Sequence, residues 1–490
     1  MKTKISYLIF FVGLVISNSV VSQFPRTNHL LNPFTKEDLL SHVHYLASDK
    51  LEGRETGTDG YKLAAIYVDS IFQNANLKKI CNEENGFESF FQNVTIEKLI
   101  VDKQTKTTLI TSEAQDEFIL GNNFILFHFG KLKNESLKGE VVFVGDGIYE
   151  PDFHIDDFKN KSIKNKWILI NENISKESLY KLPQRIQSQY KDIHTSSLIR
   201  SEIAVEKGAI GILLLPSEIG NKYWAVREQS FREYYTLPGI KSPYRSSEVP
   251  ILMIDSTMFK TISSCHSSCE LSLEKYLQKD KTINSKNIIG MVNGTQKNNG
   301  DIIIIAAHLD HEGKKDGEIY NGADDNASGI AALLEISKVI SKNPCQSNIV
   351  FAAFTAEEIG ALGSYYFINN FSRKNEKIRA MINLDMIGRV DGDANELAII
   401  SPNFPKSKLL EIANNAREEC KIDWNYSENF IRKNSGDHFP FAIKNIPCVM
   451  LFSGFHTDYH QTTDDLEKID FTFLYDKTKF AYRLLKELDE

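Results

Sequence analysis

The chain has 490 residues, of which 42% are hydrophobic and 25% charged, and its formal net charge is -8. A chain of this length exceeds one ordinary hydrophobic core, so we expect two or three domains. The negative charge and the lack of a long basic run argue against nucleic acid or an anionic membrane surface as the main partner.

The N-terminal segment has the pattern of a secretory signal peptide. Two lysines precede an apolar stretch from Ile5 to Val15, and small residues then lead up to Gln23. A transmembrane anchor is the alternative, but polar residues at 17–19 interrupt the stretch, which is short for a bilayer span. We therefore predict that residues 1–22 are removed, and that the mature chain is secreted or periplasmic with no remaining membrane span.

Two short helices are predicted next, followed by a change of sequence texture. Thr35-x-x-Asp38 resembles a helix capping box, and Tyr61 to Phe72 has helical apolar spacing. From 112 to 277, short strand-like runs are separated by lysine-rich polar loops. We therefore divide the mature chain into residues 23–111, a smaller inserted α/β domain at 112–277, and residues 278–490.

Of the six cysteines, only Cys265 and Cys269 lie close together in sequence. With His266 between them they are compatible with a metal site. A local disulfide or two free thiols fits better, because no second pair of ligands is nearby.

Strand-like and helical patterns alternate in the C-terminal segment. The predicted strands are Ile302 to Ala307, Ile349 to Phe354, Met381 to Leu384 and Cys448 to Phe452, and the predicted helices are Ser328 to Lys342, one from about Leu362, and Lys408 to Cys420. This alternation predicts an α/β fold with a doubly wound, mostly parallel sheet covered by helices. The carboxyl ends of its strands gather at one rim, where such sheets bind ligands.

Acidic and imidazole side chains follow these strands. They are His308, Asp325, Glu357, Glu358, Asp385 and His460. A single acidic residue after a strand is ordinarily a helix cap or a solvated loop residue. Several of them at one buried edge would repel one another or be desolvated without a cation, so the set predicts bound metal.

A charge count favours two zinc ions. Their four positive charges balance three carboxylates, those of Asp325, Glu358 and Asp385, together with one bridging hydroxide. Glu357 is then left beside the metals as a general base. Asp310, two residues after His308, is expected to accept a hydrogen bond from the second nitrogen of that imidazole.

Five motifs carry a family resemblance. The segments HLD, GADDNASG, EEIG, NLDMIG and DYH, in this order, resemble the zinc-dependent aminopeptidase family that includes bacterial leucine-type aminopeptidases, plasma glutamate carboxypeptidase and transferrin receptor-like proteins. The resemblance covers nearly all of the chain after residue 22, since some members carry a protease-associated domain inserted where this sequence changes texture. It implies that 112–277 is such a domain within a catalytic zinc peptidase domain.

The resemblance also implies a role for each motif residue. His308 and Asp385 would bind one zinc, Glu358 and His460 the other, and Asp325 both, with Glu357 as the base. Tyr459 matches a position that in some members donates a hydrogen bond to the reaction oxyanion; a purely structural tyrosine is the alternative. A cis peptide bond is implied between Asp325 and Asn326.

Three further residues are candidates near the site. His438 lies in a segment resembling one that lines the substrate pocket, with a hydrogen-bonded core histidine as the alternative. Arg389 either steadies a carboxylate, meets substrate, or forms a surface salt bridge. Asp464 is expected to orient His460.

These observations predict an exported two-zinc exopeptidase that removes N-terminal residues from peptides. A free α-amine is cationic and suits a carboxylate-rich rim, whereas a C-terminal carboxylate requires arginine or lysine near the metals. A carboxypeptidase or dipeptidase of the same fold, a glutaminyl cyclase with one zinc, and a non-catalytic receptor-like binding protein are the alternatives. The complete ligand set disfavours the last two, and the sequence makes no prediction about oligomeric state.

Overall fold

The computed structural model describes residues 33–82, 88–191, 193–240, 247–265, 269–296, 300–371, 376–391, 396–400, 406–422, 425–427 and 435–490. The predicted signal segment, residues 1–22, lies outside these ranges. The described helices are α1 (Lys36–Leu46), α2 (Asp59–Asn74), α3 (Lys176–Lys181), α4 (Gln184–Lys191), α5 (Ile193–Glu206), α6 (Glu218–Lys222), α7 (Trp224–Ser230), α8 (Ser256–Ser263), α9 (Gly329–Lys342), α10 (Leu362–Asn370), α11 (Lys406–Cys420), α12 (Phe439–Ala442) and α13 (Phe471–Asp489).

The strands fall into two large sheets and a few short hairpins. They are β1 (Lys78–Lys79), β2 (Cys81–Asn82), β3 (Glu88–Ser89), β4 (Phe91–Val101), β5 (Lys106–Ile110), β6 (Gln115–Ile119), β7 (Phe124–Phe129), β8 (Glu135–Gly145), β9 (Tyr149–Glu150), β10 (Ile155–Asp156), β11 (Trp167–Asn171), β12 (Gly211–Leu215), β13 (Glu233–Thr236), β14 (Pro250–Ile254), β15 (Glu270–Lys275), β16 (Leu277–Val292), β17 (Ile302–His308), β18 (Gly313–Lys315), β19 (Glu318–Tyr320), β20 (Asn348–Phe354), β21 (Ile378–Asp385), β22 (Glu396–Ile400), β23 (Asn425–Ser427) and β24 (Cys448–Phe452).

The first sheet has a parallel centre and antiparallel margins. Its strand order is β13-β4-β16-β20-β17-β21-β24-β22-β23, with β1 also paired to β16. The α/β class is confirmed. Parallel pairing, expected over most of the sheet, joins β20, β17, β21 and β24 at the centre and β22 to β23 at one edge. The difference arises because β4 and β16 form a long antiparallel ribbon on one side of the parallel strands.

The connections on either side of β17 diverge at its carboxyl end. This strand lies between β20 and β21, so the chain moves to one side of β17 for β20 and to the other side for β21. Open α/β sheets bind their ligands where the connections diverge in this way.

Helices cover both faces of the central strands, which explains the apolar run in β17. Its alternate residues Ile303, Ile305 and Ala307 belong to the core under α1, α2, α9 and α13. Ile302, Ile304 and Ala306 belong to the core on the opposite face, together with side chains of α10 and α12. A parallel strand buried on both faces reads as a continuous hydrophobic run, because neither face meets water.

The second sheet lies between β4 and β16 in sequence. Its order is β6-β5-β15-β8-β11-β12-β14-β7, and β8, β11, β12 and β14 are parallel. Within the same stretch of sequence, β13 instead pairs with β4 in the first sheet. Cys265 and Cys269 pack against the second sheet's core as free thiols. The division of the chain into domains and the protease-associated assignment stay predictions.

None of the described helices is both long enough and apolar enough to cross a bilayer.

A buried arginine fastens the N-terminal segment to the central sheet. Arg54 is 1% exposed, and its guanidinium donates hydrogen bonds to four backbone carbonyls. Its Nε lies 3.0 Å from the oxygen of Leu309, and its Nη2 lies 3.0 Å from the oxygen of Gly322. Burial lowers the pKa of Arg54 to about 10, although nearby carboxylates oppose the shift. The side chain thus ties the end of β17 to the loop that precedes α9.

We expect Arg54→Met to lower the free energy of unfolding by about 3–5 kcal/mol, which is the usual cost of removing one member of a buried charged network. Four buried carbonyls would lose their donor. Urea denaturation followed by circular dichroism measures the change. Lys62→Met is the control, because the Lys62 side chain is 63% exposed and its change should stay within about 0.5 kcal/mol. Equal stability of both variants would contradict the role of Arg54.

Candidate metal centre

The first donor set lies at the carboxyl ends of two neighbouring parallel strands. His308 ends β17 and Asp385 ends β21. The Nε2 atom of His308 lies 3.5 Å from Oδ1 of Asp385 and 3.3 Å from Oδ1 of Asp325. Strand pairing therefore brings together two residues that are far apart in sequence.

Asp325 lies between the two predicted histidines and offers a different oxygen to each. Its Oδ1 faces His308, and its Oδ2 lies 3.3 Å from Nε2 of His460. The residue occupies an irregular turn, Ala323–Ser328, directly before α9, and its peptide bond to Asn326 is cis, which confirms that expectation. This position is the one expected of a carboxylate shared by two ions.

The second donor set joins Glu358 and His460 to the other oxygen of Asp325. Oε2 of Glu358 lies 3.1 Å from Nε2 of His460. Glu357 is adjacent, because one of its carboxylate oxygens lies within 4.8 Å of both a His308 nitrogen and a Glu358 oxygen. The structure thus brings together all five predicted ligands and the predicted base.

Two donors at this centre were missed by the sequence analysis. Nδ1 of His311 lies 2.8 Å from Oε1 of Glu358, and Oε1 of Glu312 lies 3.1 Å from Nδ1 of His460. Both residues directly follow Asp310 in sequence. Their place just beyond a strand that ends in a predicted ligand was the available signal.

Asp310 contacts different groups from those expected. The group beside Nδ1 of His308, at 3.1 Å, is the backbone oxygen of Asp310 and not its carboxylate. The carboxylate instead accepts hydrogen bonds from Thr56 and from the backbone nitrogens of Glu357 and Glu358. Asp310 therefore holds the Glu357–Glu358 turn with its side chain and faces His308 with its main chain.

Asp464 also differs from its expected role. Its carboxylate accepts hydrogen bonds from the backbone nitrogens of Asp324 and Asp325, at 3.1 and 3.0 Å. The carboxylate beside Nδ1 of His460, where Asp464 was expected, is that of Glu312. Asp464 thus fixes the turn that carries Asp325, because two consecutive amides of that turn converge on one carboxylate.

Tyr459 packs beside the centre. Its ring stacks on that of His460 with centroids 3.8 Å apart, and it also contacts Phe455. Burial and the surrounding carboxylates raise the pKa of Tyr459, so its hydroxyl stays protonated. These contacts fit the structural alternative, and donation to a reaction oxyanion stays a prediction.

Arg389 and His438 were proposed to line the substrate pocket, and both side chains are almost completely buried. The guanidinium of Arg389 pairs with Asp391 and Asp458. The Arg389 side chain is 4% exposed and that of Asp458 11%, but that of Asp391 is 54% exposed, so the ion pairs extend from the interior to the surface. His438 is completely buried beside α12. This burial fits a core histidine, and a contact with substrate stays a prediction.

The electrostatics of the centre require compensation of charge. Burial alone would lower the pKa of both histidines, but the adjacent carboxylates raise the pKa of His308 well above its ordinary value and that of His460 to about 10. Burial acts against the ionised form of Glu358, but its imidazole partners bring its pKa to about 2. Without a metal, protons on the imidazoles therefore balance the carboxylates. A divalent ion can replace those protons, since metal ligands bind deprotonated.

The pKa of Glu357 shifts in the opposite direction from those of Asp325 and Glu358. Burial, followed by repulsion from Glu358 and Asp437, raises the pKa of Glu357 well above its ordinary value despite the opposing effect of His308. A carboxylate with a raised pKa is a stronger base. This is the property required of a group that takes a proton from water.

The spacing of the donors fits zinc. A tetrahedral zinc ion with bonds of about 2.0–2.1 Å holds its ligand atoms roughly 3.3 Å apart. The four histidine to carboxylate distances across the two sets are 3.1, 3.3, 3.3 and 3.5 Å. Nε2 of His460 is buried and makes no hydrogen bond of acceptable geometry to any described residue. It is directed between the carboxylate oxygens, as a metal ligand would be.

Part of the chain is similar in sequence to known peptidases. The chain is 30% identical over 192 residues to aminopeptidase YwaD of Bacillus subtilis (strain 168), an alignment covering 38% of this chain and 40% of the relative. It is 24% identical over 178 residues to a probable zinc metalloprotease of Pyrenophora teres f. teres (strain 0-1), covering 34% and 36%. The matched part is thus less than half of these curated relatives.

A solved structure shows the fold over nearly the whole chain. The aminopeptidase from Aneurinibacillus sp. strain AM-1 superimposes with a TM-score of 0.55 at 18% identity, covering 94% of this chain and 95% of that one. Residues 287–484 match the sequence profile of peptidase family M28. This segment contains every predicted metal ligand and the predicted base, so the match to this family covers the whole candidate metal centre.

Proposed function

We propose that the protein is a two-zinc aminopeptidase that removes N-terminal residues from peptides and acts after export. The observation that carries the proposal is the pair of donor sets sharing Asp325, with Glu357 beside them. The names of the relatives support both aminopeptidase activity and zinc. Export rests on residues 1–22, outside the described residues, and stays a prediction.

In this proposal, His308, Asp385 and Asp325 hold one ion, and Asp325, Glu358 and His460 hold the other. When bound, zinc lowers the pKa of a coordinated water and polarises a carbonyl oxygen. Glu357 accepts the proton of the attacking water and later delivers it to the nitrogen of the leaving amine. The same carboxyl thus takes up a proton in one step and releases it in the next.

Specificity for the amino end follows from the charges near the centre. Carboxylates dominate it, and a protonated α-amine is attracted to them. The two arginines described nearby are engaged elsewhere: Arg54 donates to backbone carbonyls and Arg389 pairs with Asp391 and Asp458. Neither offers the exposed guanidinium that would bind a C-terminal carboxylate, which disfavours a carboxypeptidase.

We expect Glu357→Gln to lower kcat by at least roughly 10²-fold while leaving the zinc content unchanged, because the amide cannot accept the proton. Turnover of an aminoacyl chromogenic substrate and elemental analysis of the same sample measure both quantities. Glu358→Gln is the matched control and should lose metal as well as activity. Undiminished turnover in Glu357→Gln would refute its role as the base.

We expect N-acetylation of a tripeptide to lower kcat/KM by roughly tenfold to a hundredfold, since a charged hydrogen-bonded contact contributes about 1.5–3 kcal/mol. The C-amidated tripeptide is the control and should be cleaved nearly as fast as the free peptide. Chromatography of the products gives both rates. Cleavage of the acetylated peptide with loss of activity on the amidated one would identify a carboxypeptidase instead.

A further inference from the structure

One short segment contacts both terminal ligands of the second donor set. It consists of Asp310, His311 and Glu312, directly after β17. We propose that His311 and Glu312 are positioning residues that set the affinity for the second zinc ion, His311 by holding Glu358 and Glu312 by holding His460. The inference rests on the proposed two-zinc function and adds the means by which one of the two sites is organised.

His311 determines which oxygen of Glu358 is available to a metal. Its side chain is fully buried, and its Nδ1 lies 2.8 Å from Oε1 of Glu358. The other oxygen, Oε2, is the one that faces Nε2 of His460. Nδ1 of His311 lies 3.8 Å from Oδ2 of Asp325, too far for a hydrogen bond, so Glu358 is its partner. An Nδ1–H donor at this position fixes the rotation of the Glu358 carboxylate.

The imidazole of His311 is itself held in place. A Cβ atom at Gly322 would lie 2.5 Å from two ring atoms of His311, so the ring packs directly on a glycine backbone. The backbone nitrogen of His311 donates to the backbone oxygen of Arg54 at 3.3 Å. The donor to Glu358 is therefore positioned before any metal binds.

Glu312 performs the corresponding task for His460. Its Oε1 lies 3.1 Å from Nδ1 of His460, and its other oxygen pairs with Lys315. A carboxylate that accepts the Nδ1–H of a histidine leaves the Nε2 lone pair free for a metal and fixes the ring. The His460 side chain is 30% exposed, compared with 2% for His308, so it has less packing to hold it.

The first donor set is supported differently. The atom beside Nδ1 of His308 is a backbone oxygen, that of Asp310, and a side-chain substitution does not remove it. Changes at His311 and Glu312 should therefore weaken the second ion and spare the first.

The test is a titration of metal-free protein with Zn²⁺ by calorimetry, repeated with Co²⁺ to record its absorption spectrum. We expect the native protein to bind two ions. His311→Ala and Glu312→Ala should bind the first ion with native affinity and the second 10- to 100-fold more weakly, as loss of a ligand's hydrogen-bond partner does. In both variants the absorption spectrum of Co²⁺ bound at the second site should also differ from that of the native protein. His311→Asn, whose amide offers an N–H near the position of Nδ1, should restore most of the affinity.

Glu318→Ala removes an exposed carboxylate from the neighbouring hairpin and serves as the control. Should His311→Ala not fold, Glu312→Ala decides the matter alone, because Glu312 is only partly buried. Native affinity for both ions in the variants, or equal weakening of both, would overturn the inference and leave the two-zinc function intact. A native protein that binds fewer than two ions would overturn the proposed function and the inference with it.

Discussion

The main physical constraint on this structure is that several carboxylates are buried close together at one edge of a sheet, where their negative charge must be compensated. Asp325, Glu358 and Asp385 converge where β17 and β21 end, and each is nearly or largely buried. Such carboxylates cannot remain charged together without positive charge between them. The two imidazoles supply that charge as protons, or two divalent ions supply it, and the donor spacing suits the ions. The rest of the site serves to hold these groups in place against their repulsion.

These groups are held in place mainly by hydrogen bonds between buried charged side chains and the backbone, rather than by contacts between side chains. Asp310 holds the amides of Glu357 and Glu358, Asp464 holds the amides of Asp324 and Asp325, and Arg54 fastens the end of β17 to the loop before α9. These anchors are buried and charged, and charge-assisted hydrogen bonds are stronger than neutral ones. They come from segments far apart in sequence, so the centre can form only when the whole sheet is assembled. Preorganised donors of this kind require little rearrangement when a metal binds.

The sequence was sufficient to predict the central strands, since patterns within one segment determine them. Cys448–Phe452 has the predicted bounds, and β17 ends one residue later than predicted, at His308. The capping box of Thr35 and Asp38 is also present. The convergence of the ligands could be predicted because the carboxyl ends of parallel strands lie at the same edge of a sheet. The partners of Asp310 and Asp464, the support from His311 and Glu312, and the pairing of β13 with β4 could not be predicted. They depend on how loops from distant segments pack, which no local pattern encodes.

The central claim is that the shared carboxylate of Asp325 lies between two zinc ions. X-ray diffraction from crystals of the purified protein, recorded on both sides of the zinc absorption edge, tests it most directly. The account predicts two anomalous peaks, one enclosed by His308, Asp325 and Asp385 and the other by Asp325, Glu358 and His460. A single peak, or peaks away from these side chains in zinc-replete crystals, would contradict it.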